Sequence, residues 1–167
     1  MLSRLAKPLA TITMGIRKAI EQDLDSLLKL RLENAKYHSE SVVQKPLKID
    51  FYDFFKKHTT ECLADRDCQV LIAYDNIEIV GYIIGFINKN HPIFDLGKEA
   101  LIDDFYVKSS HRKKGFGTKL YDNMIEWFES NSINRINLNV YSNNSSGNGF
   151  WEKENFTTQF YRKSKGL

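Results

Sequence analysis

The sequence predicts one mixed α/β domain in which strands pair antiparallel early and a β-α-β crossover comes late. Three observations carry this. Apolar residues recur at helical spacing in four stretches, and short apolar or alternating runs lie between them. An Asp75-Asn76 turn joins two of those runs as a hairpin. The resulting order is β-α-α-β-β-β-α-β-α-β.

The elements follow in chain order. Thr11 to Arg17 reads as a first strand, and Asp23 can cap a helix carrying Leu24, Leu27, Leu28, Leu32 and Ala35. Ser39 to Leu47 reads as a loop broken by Pro46, and Ile49 to Leu63 as an aromatic-rich helix with Phe51, Phe54 and Phe55. Val70 to Tyr74 and Ile77 to Ile87 form the hairpin, where Gly81 and Gly85 indicate close backbone approach or a bulge. After a loop around Pro92, Ala100 to Val107 is a fourth strand. Phe116, Leu120, Met124, Trp127 and Phe128 mark an amphipathic helix, and Ile136, Leu138 and Val140 alternate as a fifth strand. A short helix near Ser145 to Lys153 and a last strand around Phe156 to Arg162 complete the chain.

Composition excludes several classes. The 167 residues suffice for one core, and hydrophobic and charged fractions of 42% and 27% are those of a globular protein. No apolar run approaches the roughly 18 residues of a membrane span. A net charge of +3, from 24 basic and 21 acidic residues, suits an anionic ligand and falls short of the bias usual in nucleic-acid binders. Cys62 and Cys68 have neither redox-pair nor zinc-ligand spacing, and the four histidines are scattered, so reduced thiols, no metal and a cytoplasmic location are expected. Residues 1–13 hold Arg4, Lys7 and Pro8 without an acid, and Met14-Gly15-Ile16-Arg17 looks like a second start. The expectation is a loose tail or overlong start over 1–13, and the domain over 14–167.

The chemically suggestive stretch is Val107-Lys-Ser-Ser-His-Arg112-Lys113-Lys114-Gly115-Phe116-Gly117-Thr118, a strand end, a basic turn with two glycines and a helix start. Glycines let the backbone curl around a ligand with its N–H groups turned inward. A helix N-terminus adds unpaired donors and a positive dipole end, which suits a phosphate or pyrophosphate. The spacing fits neither a P-loop nor a dinucleotide fingerprint, because Leu120 stands where a third glycine would. A basic turn that only starts a helix is the alternative.

Val107 to Gly117 resembles the acetyl-CoA signature Arg/Gln-x-x-Gly-x-Gly/Ala of the GNAT superfamily of N-acetyltransferases. Asn144-Ser-Ser-Gly147-Asn-Gly-Phe150-Trp151-Glu152-Lys153-Glu154-Asn155-Phe156 resembles that family's Asn-x-x-Ala…Phe-Tyr-Glu-Lys-x-Gly-Phe helix, and Ile16-Arg17-Lys18-Ala19 its first strand. The resemblance implies the GNAT fold: a mostly antiparallel mixed sheet with a V-shaped splay between strands 4 and 5, flanked by about four helices. It implies acetyl-CoA as cosubstrate, with pyrophosphate on the amides of Lys113 to Thr118, including Gly115, Phe116 and Gly117. Arg112 would add charge, pantetheine would pair near Phe105, Tyr106 and Val107, and Asn144 would bond the pantetheine arm. Asn144 could equally cap its helix.

Acetyl transfer to an alkyl amine of pKa ~10 needs a proton acceptor at neutral pH. Asp103 and Asp104 adjoin the cofactor stretch, and strand alternation is expected to point them to opposite faces. Ile102-Asp-Asp-Phe-Tyr-Val107 also resembles a stretch of polyamine acetyltransferases in which acids handle the amine. Asp103 is the first choice of base, acting through water, and Asp104 the second; solvated or salt-bridged strand acids are the alternative. Trp151 stands where the family's acidic tyrosine would, and an indole is no practical proton donor. Trp151 is therefore expected to shape the thioester pocket, with Tyr141 and Tyr106 as fallback acids; for each, a strand aromatic packed in the core is the alternative.

The expected activity is acetyl transfer to a primary amine: a polyamine, an aminoglycoside or a protein amine. Glu99, Asp103 and Asp104 lean toward a cationic acceptor. The competing reading is a non-catalytic acyl-CoA sensor. Eleven residues after Phe156 leave room for one strand, whose open edge suggests a homodimer. No nucleic-acid or membrane partner is expected.

Overall fold

The computed structural model describes residues 14–88 and 97–166. The expected tail over 1–13 and the loop at Pro92 lie outside these. Five strands form one sheet in the order β1-β2-β3-β4-β5: β1 Met14–Lys18, β2 Cys68–Asp75, β3 Glu78–Asn88, β4 Glu99–Val107 and β5 Arg135–Leu138. The first three neighbouring pairs are antiparallel, and β4 with β5 is parallel. Four helices accompany them: α1 Leu24–Tyr37, α2 Phe51–Ala64, α3 Phe116–Ser130 and α4 Ser145–Lys153.

Alternation along β2 divides the core between the two faces of the sheet. Val70 and Ile72 pack with Tyr82, Ile84 and Tyr106 against Leu27 and Leu30 of α1 and Cys62 of α2. Leu71 and Ala73 lie with Phe116, Leu120, Met124 and Phe128 of α3 and Trp151 of α4. The glycines of β3 permit this closeness. A Cβ on Gly81 would sit 2.9 Å from the Tyr106 carbonyl oxygen, and one on Gly85 2.6 Å from Met124 Sδ and 2.7 Å from Phe128 Cζ.

Four expectations are corrected. The Phe156–Arg162 strand is absent, and no regular element follows α4 among the described residues. That segment reads TTQFYRK from Thr157, and Phe160 and Tyr161 are exposed, so no apolar face is buried that would hold a strand to the sheet. The fifth strand is shorter than expected, ending at Leu138 rather than Val140. The start of the Ser39–Leu47 loop is a π-helical turn, His38–Val42, that continues α1. Asp23 does not cap α1 through its side chain. It accepts hydrogen bonds from Arg17 Nη1 at 2.6 Å, Arg17 Nη2 at 2.8 Å and the Ile20 amide at 2.9 Å. Arg17, opposed by partial burial, holds the Asp23 carboxyl below its usual range.

Helix α1 is tied to β4 by a polar clamp. Arg31, only 3% exposed, donates from Nε to Asp104 Oδ2 at 3.0 Å and from Nη1 to Thr59 Oγ1 at 2.9 Å. Asn34 Nδ2 donates to Asp104 Oδ1 at 2.9 Å. A buried ion pair is costly to break from one side, because the remaining charge is left without its partner.

Arg31→Met should therefore lower unfolding free energy by about 3–5 kcal/mol at neutral pH, while Arg31→Met with Asp104→Leu should recover most of it. Gly85→Ala should cost about 1–3 kcal/mol by overpacking Met124 and Phe128. Gly149→Ala, whose Cβ meets nothing within 4 Å, should stabilise α4 by about 0.5–1 kcal/mol. Urea melts of each variant measure these differences.

Candidate active site

The site begins where two strands separate. The β4-β5 ladder pairs Glu99 with Arg135, Ala100 with Ile136, Leu101 with Asn137 and Ile102 with Leu138. β5 then ends, whereas β4 runs on through Phe105, Tyr106 and Val107 with no ladder partner on that side among the described residues. Main-chain groups on this edge are open to an extended ligand.

A β-bulge lies at the parting point. Ile84 faces Asp104 and Gly85 faces Ile102, so Asp103 is the extra residue in the β3-β4 register. The bulge corrects the expectation that Asp103 and Asp104 point to opposite faces. An inserted residue resets the alternation, and both carboxylates turn toward α1 and α2. Asp104 meets Arg31 and Asn34, while Asp103 Oδ2 lies 3.6 Å from His58 Nε2 on α2. Burial raises the Asp103 pKa above the ordinary carboxylate value, against the lowering influence of His58 and Arg31. Asp104 is held in the clamp and Asp103 is the more accessible acid. Glu99 is not free either: its carboxylate is 3.5 Å from Arg135 Nε across the β4-β5 ladder.

The basic turn follows β4 directly. Lys113 and Gly115 have φ of 60° and 87°, which curls the chain just before α3. No side chain caps α3 and its first turn contains no acid, so the first amides are left for an external acceptor. Lys113, Lys114, Gly115 and Thr118 are exposed. Phe116 is a core side chain, 2% exposed, and can offer only its backbone. A Cβ on Gly117 would come 3.3 Å from Phe105 Cζ and 3.7 Å from Phe150 Cε2. Arg112 is pinned to the strand end. Its Nε donates to the Val107 carbonyl at 2.9 Å, and its guanidinium lies 5.4 Å from the Tyr37 ring and 5.5 Å from the Tyr106 ring.

Asn144 caps α4, with Oδ1 accepting from the Gly147 amide at 3.1 Å. Trp151 is buried in an aromatic cluster with Phe105, Tyr121, Phe150 and Phe156, in the core under the turn. Tyr106 is a core residue against Tyr82, and burial raises its pKa. Tyr141 is exposed, so it is not the core aromatic that would have disqualified it as an acid. Its ring centroid is 6.3 Å from that of His38, and the nearby Asn143 Nδ2 donates to the Val42 carbonyl at 2.5 Å. These contacts bring the segment after β5 against the turn after α1. Burial lowers the His38 pKa, with Asp104 opposing, which favours a neutral imidazole there.

The sequence reading missed Arg31, Asn34, His38 and His58. The signal available was a polar residue on a buried helical stripe: Arg31 and Asn34 interrupt Leu27, Leu28, Leu30 and Ala35 on α1.

Residues 27–156 match the model of the acetyltransferase (GNAT) family. Among solved structures, a predicted acetyltransferase with acetyl-CoA from Clostridium acetobutylicum aligns at 19% identity and a TM-score of 0.77, covering 93% of this chain and 97% of that one. A ribosomal-protein-alanine N-acetyltransferase from Brucella melitensis biovar Abortus 2308 aligns at 21% and 0.69, covering 93% and 100%. An aminoglycoside acetyltransferase from an uncultured soil metagenomic sample, in complex with sisomicin, aligns at 16% and 0.68, covering 92% and 96%. These likenesses show a common fold, and the family match spans most of the chain, from α1 through α4: the protein belongs to the acetyltransferase (GNAT) family.

Proposed function

We propose that this enzyme transfers acetyl from acetyl-CoA to a primary amine, with Asp103 as the proton acceptor. The observation that carries the reading is the end of the β4-β5 ladder at Ile102 and Leu138, immediately before an uncapped, basic helix start. The open β4 edge fits a pantetheine amide chain, and the turn amides of Lys113 to Thr118 fit a pyrophosphate. Arg112, already bonded to Val107, would favour the phosphates by charge and hold the strand end in place. The free Nδ2 donor of Asn144 would reach the pantetheine arm while Oδ1 keeps its capping bond.

The chemistry follows from the residues at the splay. Backbone N–H groups near Tyr106 and Val107 would donate to the thioester oxygen as negative charge develops. Asp103, through water, would take a proton from the ammonium. The neutral nitrogen then attacks the carbonyl carbon, its excess proton passes to solvent water as the tetrahedral intermediate collapses, the C–S bond breaks, and the thiolate leaves with a pKa of ~8.5. Trp151 has no role in this proton transfer; Tyr141, exposed and beside His38, is the proposed donor to the leaving thiolate. Asp104 and Glu99 are engaged by Arg31 and Arg135, which leaves Asp103 to meet the ammonium. That arrangement suits a single primary ammonium better than the polyamine suggested by the adjacent acids. A homodimer belongs to the same proposal, because β5 has no strand on its outer side among the described residues.

Calorimetry should show acetyl-CoA binding to the wild type and its loss in Gly117→Glu, whose side chain would occupy the space over Phe105 and Phe150. A panel of small amines, aminoglycosides and amino-terminal alanine peptides should release CoA, and Asp103→Asn should lower kcat by roughly 10²–10⁴-fold. Asp103 acts as carboxylate, so the rate should rise with pH through its pKa, on a limb above the ordinary carboxylate range. Binding without CoA release from any amine would favour the sensor reading. Light scattering should give a dimer mass; a sharp monomer removes the dimer alone.

A further inference from the structure

We propose that His58 is a positioning residue for Asp103, held by Arg31 in the tautomer that turns its one N–H toward that carboxylate. The inference rests on the reading of Asp103 as the base and adds the group that sets its orientation and proton affinity.

The geometry is specific. Arg31 Nη1 lies 3.0 Å from His58 Nδ1. A guanidinium nitrogen can only donate, so Nδ1 must accept, and a neutral imidazole then carries its hydrogen on Nε2. Nε2 is the atom 3.6 Å from Asp103 Oδ2. That separation is too long for a formed hydrogen bond, and bonds of this kind often close only when substrate arrives. The ring has little freedom to turn away. Phe54 stacks on it at 5.8 Å between centroids, and Phe86 meets its edge at 5.8 Å. The bulge supplies the other half, because without the inserted residue alternation would not bring Asp103 to the α2 side together with Asp104.

The charged and titratable groups facing His58 are Arg31 from α1, Cys62 from its own helix and Asp103 from β4. Cys62 Sγ is 3.6 Å from Nδ1 and 3.9 Å from Nε2, and this side chain is the largest influence raising the His58 pKa, with burial and Arg31 opposing and Asp103 assisting. Cys68 and His58 in turn draw the Cys62 thiol down to about 6. The neutral tautomer therefore operates above the raised His58 pKa. Below it the imidazolium attracts Asp103 as an ion pair and weakens it as a base.

The test uses the ligand-free protein. Long-range proton–nitrogen NMR at about pH 8 should show His58 with its hydrogen on Nε2. The Asp103 carboxyl carbon, titrated in wild type and His58→Ala, should move to higher pKa in the variant, because the neighbour that favours the carboxylate is gone. His58→Gln, which retains an N–H donor, should return part of that shift, and a native amide spectrum confirms that each variant is folded. Asp103→Asn should lower the His58 midpoint. A hydrogen on Nδ1, or an Asp103 titration unmoved in His58→Ala, overturns the proposal while Asp103 keeps its role if Asp103→Asn is slow on the amine panel. An Asp103→Asn enzyme as fast as wild type on the panel overturns the base reading, and this inference with it.

Discussion

One residue too many in β4 organises the active end of this molecule. Asp103 has no counterpart on β3, and the strand resumes its alternation one step out of phase. The same point marks the last pair of the β4-β5 ladder, Ile102 with Leu138. The inserted residue thus sits where β4 parts from its parallel neighbour, and it sends two successive carboxylates to the helix face that carries Arg31, Asn34 and His58. The bulge is buttressed from the opposite face, since Gly85 lies beneath it and admits Met124 and Phe128 as close as backbone permits.

The two carboxylates then diverge in environment because their partners differ. Asp104 accepts from Arg31 and Asn34 and is part of the clamp between α1 and β4. Asp103 faces an imidazole at longer range and has more contact with solvent, with 32% of its side chain exposed against 16% for Asp104. Adjacent acids of one type thus separate into a structural anchor and a carboxylate more open to solvent. The anchor also matters to the other, because Arg31 bonds both Asp104 and His58.

Element types and order were legible in the sequence because helical and alternating patterns were long, as in α3 with Leu120, Met124 and Phe128 all buried. The expected last strand does not form, since exposed Phe160 and Tyr161 have no packed face to join. The basic turn before α3 was legible through its glycines and basic residues, which are local requirements. The facing of Asp103 was not, because a bulge is set by pairing with β3 and leaves no unambiguous mark on β4 itself. Arg31 and His58 were hidden for a similar reason: their partners lie 73 and 45 residues away in sequence, and only the fold brings them together. Trp151 at the family's tyrosine position was noticed, but its burial among Phe105, Tyr121 and Phe156 required three dimensions.

The central claim is that the separation of β4 from β5 is the acetyl-CoA slot. Backbone amide NMR during titration with acetyl-CoA tests it most directly. The account predicts that the largest shifts fall on Phe105 to Val107 and on Lys113 to Thr118, with Asn144 following at the same ligand concentration. Shifts confined to other surfaces, or a spectrum unchanged by acetyl-CoA in the folded protein, would contradict it.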